Sequence, residues 1–90
     1  MKVYIITYCW SNEMEGGEDG VDDVFFDLDQ ATKRFNEMVQ EDSADFIENV
    51  CAGEKVHEYS ESNEDGYRRV YYGNDLEEFY SATLHVQEVH

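Results

Sequence analysis

The sequence has no proline, only two cysteines and few basic residues, and each scarcity excludes something. Two cysteines, Cys9 and Cys51, are too few for the disulfide framework of a small secreted domain, so we expect free thiols in a reducing cytoplasm. No apolar run approaches the roughly 20 residues that a membrane-spanning helix needs. The start of the chain, residues 1–6, is typical of a strand rather than of a signal peptide.

The shortage of basic residues leaves a large negative charge. Six Lys and Arg stand against 22 Asp and Glu in 90 residues, a formal net charge of −16. A surface of this sign repels nucleic acid and anionic lipid, because nucleic-acid binding depends on Lys and Arg that neutralise phosphates. We therefore predict no direct nucleic-acid or membrane binding. A basic groove that normally holds nucleic acid would instead attract this chain, although solubility alone is a competing explanation for the charge.

Apolar side chains are plentiful enough for a folded core. Hydrophobic residues make up 41% of the chain and aromatic residues 14%, which is too much for a disordered acidic tail. Ninety residues suit one domain, since domains start at about 50 residues. We predict a single acidic domain over residues 1–90.

The first half of the chain predicts strand, loop, strand and helix. Residues 2–10 are β-branched and aromatic on both alternating faces, as in a central strand. Residues 11–23 hold three glycines and six carboxylates and predict a mobile acidic loop, followed by a short strand at 24–26. Asp27 is the expected helix N-cap, with Gln30 at the position of a capping box.

The helix pattern leaves its length open. Apolar residues at 28, 31, 35, 38 and 39 have the spacing of a buried helix face. The helix is expected to reach residue 42, where Ser43 would cap a second, shorter helix that turns Phe46, Ile47 and Val50 inward. A single helix through residue 51 is the alternative. Ala52-Gly53 would end either one.

The last third predicts an antiparallel meander. Strands are expected at 55–60, 67–72 and 79–89, with turns at 61–66 and 73–75. In the last strand Tyr80, Ala82, Leu84 and Val86 alternate with polar residues, so one face would be covered and the other wet. The predicted fold class is α+β, with two layers. An antiparallel sheet in the order β-β-α-β-β-β packs against one long or two short helices.

No pattern in the sequence indicates catalysis or metal binding. The cysteines and the three histidines are scattered without the short spacings of a zinc site, and the acidic loops do not follow the EF-hand ligand ladder. No nucleophile stands beside a base in a recognisable motif. We predict no catalytic residue, no metal ligand, no cofactor and no enzymatic activity; a small enzyme or cation-binding protein is the remaining alternative.

The carboxylates are grouped along the chain. The block Glu13–Asp29 has eight carboxylates and no base. A second group, spaced by 4, 4 and 3 residues, would form a row within an arc of about 80° and with steps of about 6 Å on a continuous helix, which resembles a phosphate strand in spacing and sign. The predicted partner-binding residues are Glu13, Glu15, Glu18, Asp19, Asp22 and Asp23 of the block, Glu37, Glu41, Asp45 and Glu48 of the row, and Tyr67 and Tyr71 of the C-terminal hairpin.

On these residues the chain resembles a class of proteins. Small, acidic, proline-free α+β domains with such a block and row are similar to anti-CRISPR and related anti-defence proteins of phages and mobile elements, several of which mimic DNA. The opening MKVYIITY and the later VFFDLDQATKRF are also similar to small phage and bacterial domains that begin strand, strand, helix.

The resemblance implies a non-enzymatic inhibitor in the cytoplasm of a host bacterium. It would bind the basic nucleic-acid-binding surface of a CRISPR-Cas effector or a similar defence protein. The alternative is an adaptor or regulatory module that binds through the tyrosine-rich hairpin and uses its charge for solubility. Both a monomer and a homodimer remain open, with residues 24–26 or an edge strand available to pair two copies.

Overall fold

The computed structural model describes residues 1–12, 16–51, 55–75 and 77–89. The strands are β1 (Lys2–Asn12), β2 (Gly16–Phe25), β3 (His57–Ser62), β4 (Arg68–Gly73) and β5 (Phe79–Glu88). The α-helix α1 (Leu28–Asp45) continues directly as a π-helical segment, Phe46–Cys51. An antiparallel five-stranded sheet thus packs against one long helical element, which confirms the predicted α+β class.

The last strand of the described chain lies in the middle of the sheet. The strand order is β2-β1-β5-β4-β3, and every neighbouring pair is antiparallel. The apolar character of both faces of β1 predicted a central strand, and β1 is indeed interior, although β5 holds the central position. Tyr80, Ala82 and Leu84 of β5 are buried on one face, as their alternation predicts.

The predicted acidic loop at residues 11–23 is wrong. β1 extends to Asn12, and β2 begins at Gly16 and pairs along β1 from that point to Phe25. The short strand expected at 24–26 is the end of this longer strand, and Phe26 lies beyond it. β2 is an edge strand, where charged side chains are tolerated and protect against unwanted pairing, so its polar composition resembles a loop. Glu13 and Glu15 lie outside the described residues.

The helix does not break at Ser43, so the alternative of one continuous helical element is correct. Ser43 is buried inside α1, and the Asp27 carboxylate caps the start of the helix by accepting from the backbone N–H of Asp29 at 2.8 Å. In the π-helical segment, i→i+5 bonding places residues five apart on one side, and Phe46 and Cys51 are both buried. Ile47, expected to point inward, is 41% exposed. The predicted end at Ala52-Gly53 lies outside the described residues.

The C-terminal hairpin was predicted with its strand boundaries one or two residues too early. β3 begins at His57 and β4 at Arg68, and a compact turn joins Ser62 to Arg68. Asn63 holds this turn, since its side-chain oxygen accepts from the backbone N–H groups of Asp65 and Tyr67. Gly66 has a φ of 106°, which favours glycine.

A single core lies between α1 and one face of the sheet. The α1 stripe predicted by the apolar spacing supplies its helix side. The buried members are Ile6, Ala31, Phe35, Met38, Phe46, Cys51, Tyr80, Ala82 and Leu84. Within the described residues, no helix is both long and apolar enough to cross a membrane.

Replacing Leu84 with alanine tests this assignment of faces. Leu84 has no exposed surface, so Leu84→Ala is expected to lower the free energy of unfolding by about 2–5 kcal/mol through lost burial and a residual cavity. Urea denaturation followed by circular dichroism measures the change. His85→Ala alters the next residue, which points to the other face, and is expected to cost less than about 1 kcal/mol. Equal losses would contradict the assignment.

Candidate protein-interaction site

The predicted partner-binding residues that the structure describes lie on two opposite sides of the molecule. The acidic residues of α1 are on the side covered by the helix. Tyr71 pairs with Ser81, whose neighbours Tyr80 and Ala82 face the helix, so Tyr71 points to the other side. A partner that binds the acidic row therefore does not contact the tyrosine-rich hairpin through the same surface.

The first three members of the acidic row lie on regular α-helix. Glu37, Glu41 and Asp45 are exposed on α1, and each step along the helix axis is about 6 Å. Glu48 is also exposed, but it belongs to the π-helical segment, where the i→i+5 bonding ends the regular spacing. No Lys or Arg occurs in the sequence after Arg34 until Lys55. The regular row thus consists of Glu37, Glu41 and Asp45.

A groove with a volume of about 640 Å³ runs beside this row, between the helix and the sheet. Two residues of the row, Glu41 and Asp45, line its helix side. Tyr8 and Trp10 of β1 and Tyr80 of β5 line its sheet side. The groove therefore combines aromatic rings with carboxylates, which we call the acidic groove.

Pairing of β1 with β2 gives the acidic groove its outer wall. Tyr8 lies opposite Gly20, where an added Cβ would come within 3.0 Å of the tyrosine hydroxyl oxygen, so glycine leaves room for the ring. The Tyr8 hydroxyl donates to Glu18 at 3.2 Å, and this bond is the main cause of the raised pKa of Tyr8. Trp10 lies opposite Glu18 and is half-buried.

Arg34 is the one base among the described residues that line the acidic groove, and it is already engaged. Its guanidinium donates from Nε to Asp22 Oδ2 at 2.9 Å and from Nη2 to Oδ1 at 2.8 Å. These bonds to Asp22 raise the pKa of Arg34, and the charges of Glu41 and Glu37 raise it further. This two-bond contact ties β2 to α1, so Asp22 holds the groove together rather than being a free partner-binding carboxylate.

Asp42 and Tyr80 form a second contact across the acidic groove. The buried Tyr80 donates its hydroxyl to Asp42 Oδ2 at 3.3 Å. Burial is the main cause of the raised pKa of Asp42, and the hydrogen bond from Tyr80 opposes it. Burial, followed by the charge of Asp42, raises the pKa of Tyr80. The charged form of the Asp42 carboxylate is therefore less stable in the folded groove than in water.

The other predicted site residues are more dispersed. Asp23 accepts from the backbone N–H of Val24 at 2.7 Å, and Asp19 lies opposite Cys9 on the side away from the helix. Tyr67 donates to Glu61 at 3.0 Å, and Tyr71 stacks on Phe79 with ring centroids 5.9 Å apart. Tyr71 is thus part of the packing of the sheet, and Tyr67 is held against β3 by its hydrogen bond.

Sequence reasoning missed the aromatic wall of the acidic groove. Trp10 and Tyr80 were assigned to strands, but the pairing that brings both beside α1 is a long-range contact. An available signal was the aromatic character of residues 4, 8 and 10 in β1, which share one face by alternation.

Metal-ligand geometry and similarity to known proteins give no further information about this site. No group of three or more His, Cys, Asp or Glu among the described residues is placed to hold a metal ion. No protein-family model, curated protein or solved structure matches the chain.

The raised pKa of Asp42 predicts a pH dependence of stability. Because the folded state binds this proton more tightly than the unfolded state, the contribution of Asp42 increases stability as pH falls below 7 through its folded-state pKa. Asp42→Asn removes the contribution and is expected to make the free energy of unfolding less dependent on pH between 7 and 4, measured by urea denaturation. Glu48→Gln, at an exposed position, is the control. Identical pH profiles for the Asp42 variant and the parent would contradict the assignment.

Proposed function

We propose that this chain is a non-enzymatic inhibitor that binds the basic nucleic-acid-binding surface of another protein and blocks access of nucleic acid. The observation that carries the proposal is the exposed row Glu37, Glu41 and Asp45, one helical turn apart and without an interleaved base. Ordinary exposed helices gain stability from Glu–Lys pairs at this spacing, whereas like charges cost about 0.2–0.5 kcal/mol per pair. Binding of cations from a partner would relieve this repulsion.

The acidic groove supports the proposal because it offers an anchor beside the row. An Arg or Lys side chain of the partner that enters the groove would lie against the Trp10 ring, with Asp45 and Glu41 on the opposite wall. Cation–aromatic contact and charge-assisted hydrogen bonds would then act on the same side chain. Aromatic anchors surrounded by polar groups carry much of the affinity in protein interfaces.

The net charge supports a fast, salt-sensitive encounter with a basic partner. At −16, the chain produces a long-range field that steers a positively charged surface toward it. Salt screens that attraction and lowers the association rate. The likeness to anti-CRISPR proteins makes CRISPR-Cas effectors the first class of partner to test.

Reversal of the row tests the proposed surface. The triple variant Glu37→Lys, Glu41→Lys, Asp45→Lys is expected to weaken binding to a basic effector by at least about 100-fold, because it places like charges in contact. Binding is measured against a panel of purified CRISPR-Cas effectors at low and high salt, with duplex DNA or guide RNA as competitor.

A second triple variant separates position from bulk charge. Glu58→Lys, Glu64→Lys and Glu88→Lys change the net charge equally at exposed positions away from the row. This control is expected to retain most of the binding. If both triple variants lose binding equally, only the overall charge matters. If the first binds like the parent, the row is not the site.

Trp10 provides an independent test of the acidic groove. It is the only tryptophan in the chain, so its fluorescence is expected to change when a partner fills the groove. Trp10→Leu is expected to weaken binding at least about 10-fold, as loss of an aromatic anchor does, with the fold retained by circular dichroism. Tyr71→Leu, on the opposite side, is expected to have little effect. The reverse ranking would favour the adaptor function based on the tyrosine-rich hairpin.

A further inference from the structure

The side of the sheet that faces away from α1 is not covered by any described element. Strand alternation places six side chains along its middle, and we call this side the open face. They come from four strands: Thr7, Cys9, Val21, Tyr71, Ser81 and Thr83. A shallow depression of about 490 Å³ lies among the residues of β1, β2 and β5. Antiparallel sheets often leave one face wet, so the composition of this face decides what it can bind.

The open face carries very little of the charge of the molecule. The charged side chains that the register places on it, in the described strands, are Asp19, Glu61 and Arg69. Two acids and one base contrast with 22 acids and six bases in the whole chain. The local repulsion between two copies is therefore smallest where one open face meets another.

The open face also exposes apolar surface. Val21 is 61% exposed, Val24 47% and Tyr59 53%, and all three point to this side. The stacked rings of Tyr71 and Phe79 lie between β4 and β5 on the same side. The three exposed side chains lie at both edges of the open face, on β2 and β3, so a partner that covers the whole face would bury them.

The dimensions of the open face match those of a stable dimer interface. The three longest strands have 10 or 11 residues, and five strands lie side by side. With about 3.3 Å per residue and about 4.8 Å between strands, the face covers on the order of 700 Å². A standard interface buries about 800 Å² on each partner.

We propose that a second copy of this chain covers the open face, so that two sheets pack face to face and both helices lie outside. A two-fold axis parallel to the strands and passing over β5 places β2 of one copy over β3 of the other, and β1 over β4. Asp19 of each copy then approaches Tyr59 of the other, and the contact occurs twice by symmetry. The acidic groove and row remain free on the outer surfaces.

Salt distinguishes this association from binding to a basic partner. Two copies of a chain with a charge of −16 repel each other at long range, so screening by salt is expected to strengthen the dimer. Salt is expected to weaken a complex with a basic partner for the same reason. The dimer does not depend on the proposed function, and the opposite responses keep the two results separate.

Sedimentation equilibrium on the full chain, at micromolar to submillimolar concentration and at low and high salt, tests the dimer. The parent is expected to reach twice its chain mass of 10.6 kDa. At high salt it is expected to do so at a lower protein concentration than at low salt. The double variant Val21→Glu, Thr83→Glu is expected to remain a monomer across the same range. Val21→Glu alone changes an exposed edge position and is expected to raise the dimer dissociation constant at least tenfold without threatening the fold.

The matched control adds the same charge on the opposite side. Asn36→Glu, Gln40→Glu places two carboxylates at exposed positions of α1 and is expected to dimerise like the parent at high salt. A parent that stays at the mass of one chain throughout overturns the proposal and leaves the open face to a different protein. Equal dissociation of the control and the open-face double variant at high salt also overturns it, because position would then not matter.

Discussion

Packing of a single helix against one side of a five-stranded sheet determines where everything else can lie. The apolar stripe of α1 covers Ile6 and Leu84 at the middle of the sheet, and this burial supplies the core. The exposed flank of α1 carries the acidic row, and Glu41 and Asp45 of that row border the acidic groove. The other side of the sheet has no described covering element. Two surfaces of different chemistry therefore follow from one packing interaction, and they point in opposite directions.

The distribution of charge shows how a chain this acidic can remain folded. Most carboxylates are exposed, where water screens their repulsion. The carboxylate of Asp27 stabilises the fold, because it caps the start of α1. Another such carboxylate is that of Asp22, which Arg34 holds with two hydrogen bonds where β2 meets the helix. The chain has only six Lys and Arg residues, and Arg34 lies beside an edge strand whose own charged side chains are all acidic.

Periodicity predicted the parts of the structure whose burial is one-sided. The helix stripe and the alternation in β5 were recoverable because each has a buried and an exposed face. β2 was not, because an edge strand rich in Asp and Gly has the composition of a loop and gains its order from pairing with β1. Glu41 and Asp45, which line the acidic groove, were among the residues that the sequence singled out, but the groove itself was not predicted, since Trp10 and Tyr80 meet only through that sheet.

The central position of β5 has a consequence for how the chain reaches its fold. β5 pairs with β1, so residues near 2 meet residues near 88, and this pairing must form before the sheet is continuous. Contacts between residues so distant in sequence require closure of a long loop, which slows folding relative to helical proteins of similar size. During synthesis, β1 and α1 emerge well before β5, and their apolar faces stay exposed until β5 is available to pair. The acidic residues near them would then help to keep the growing chain from aggregating, because like charges oppose association of incomplete chains.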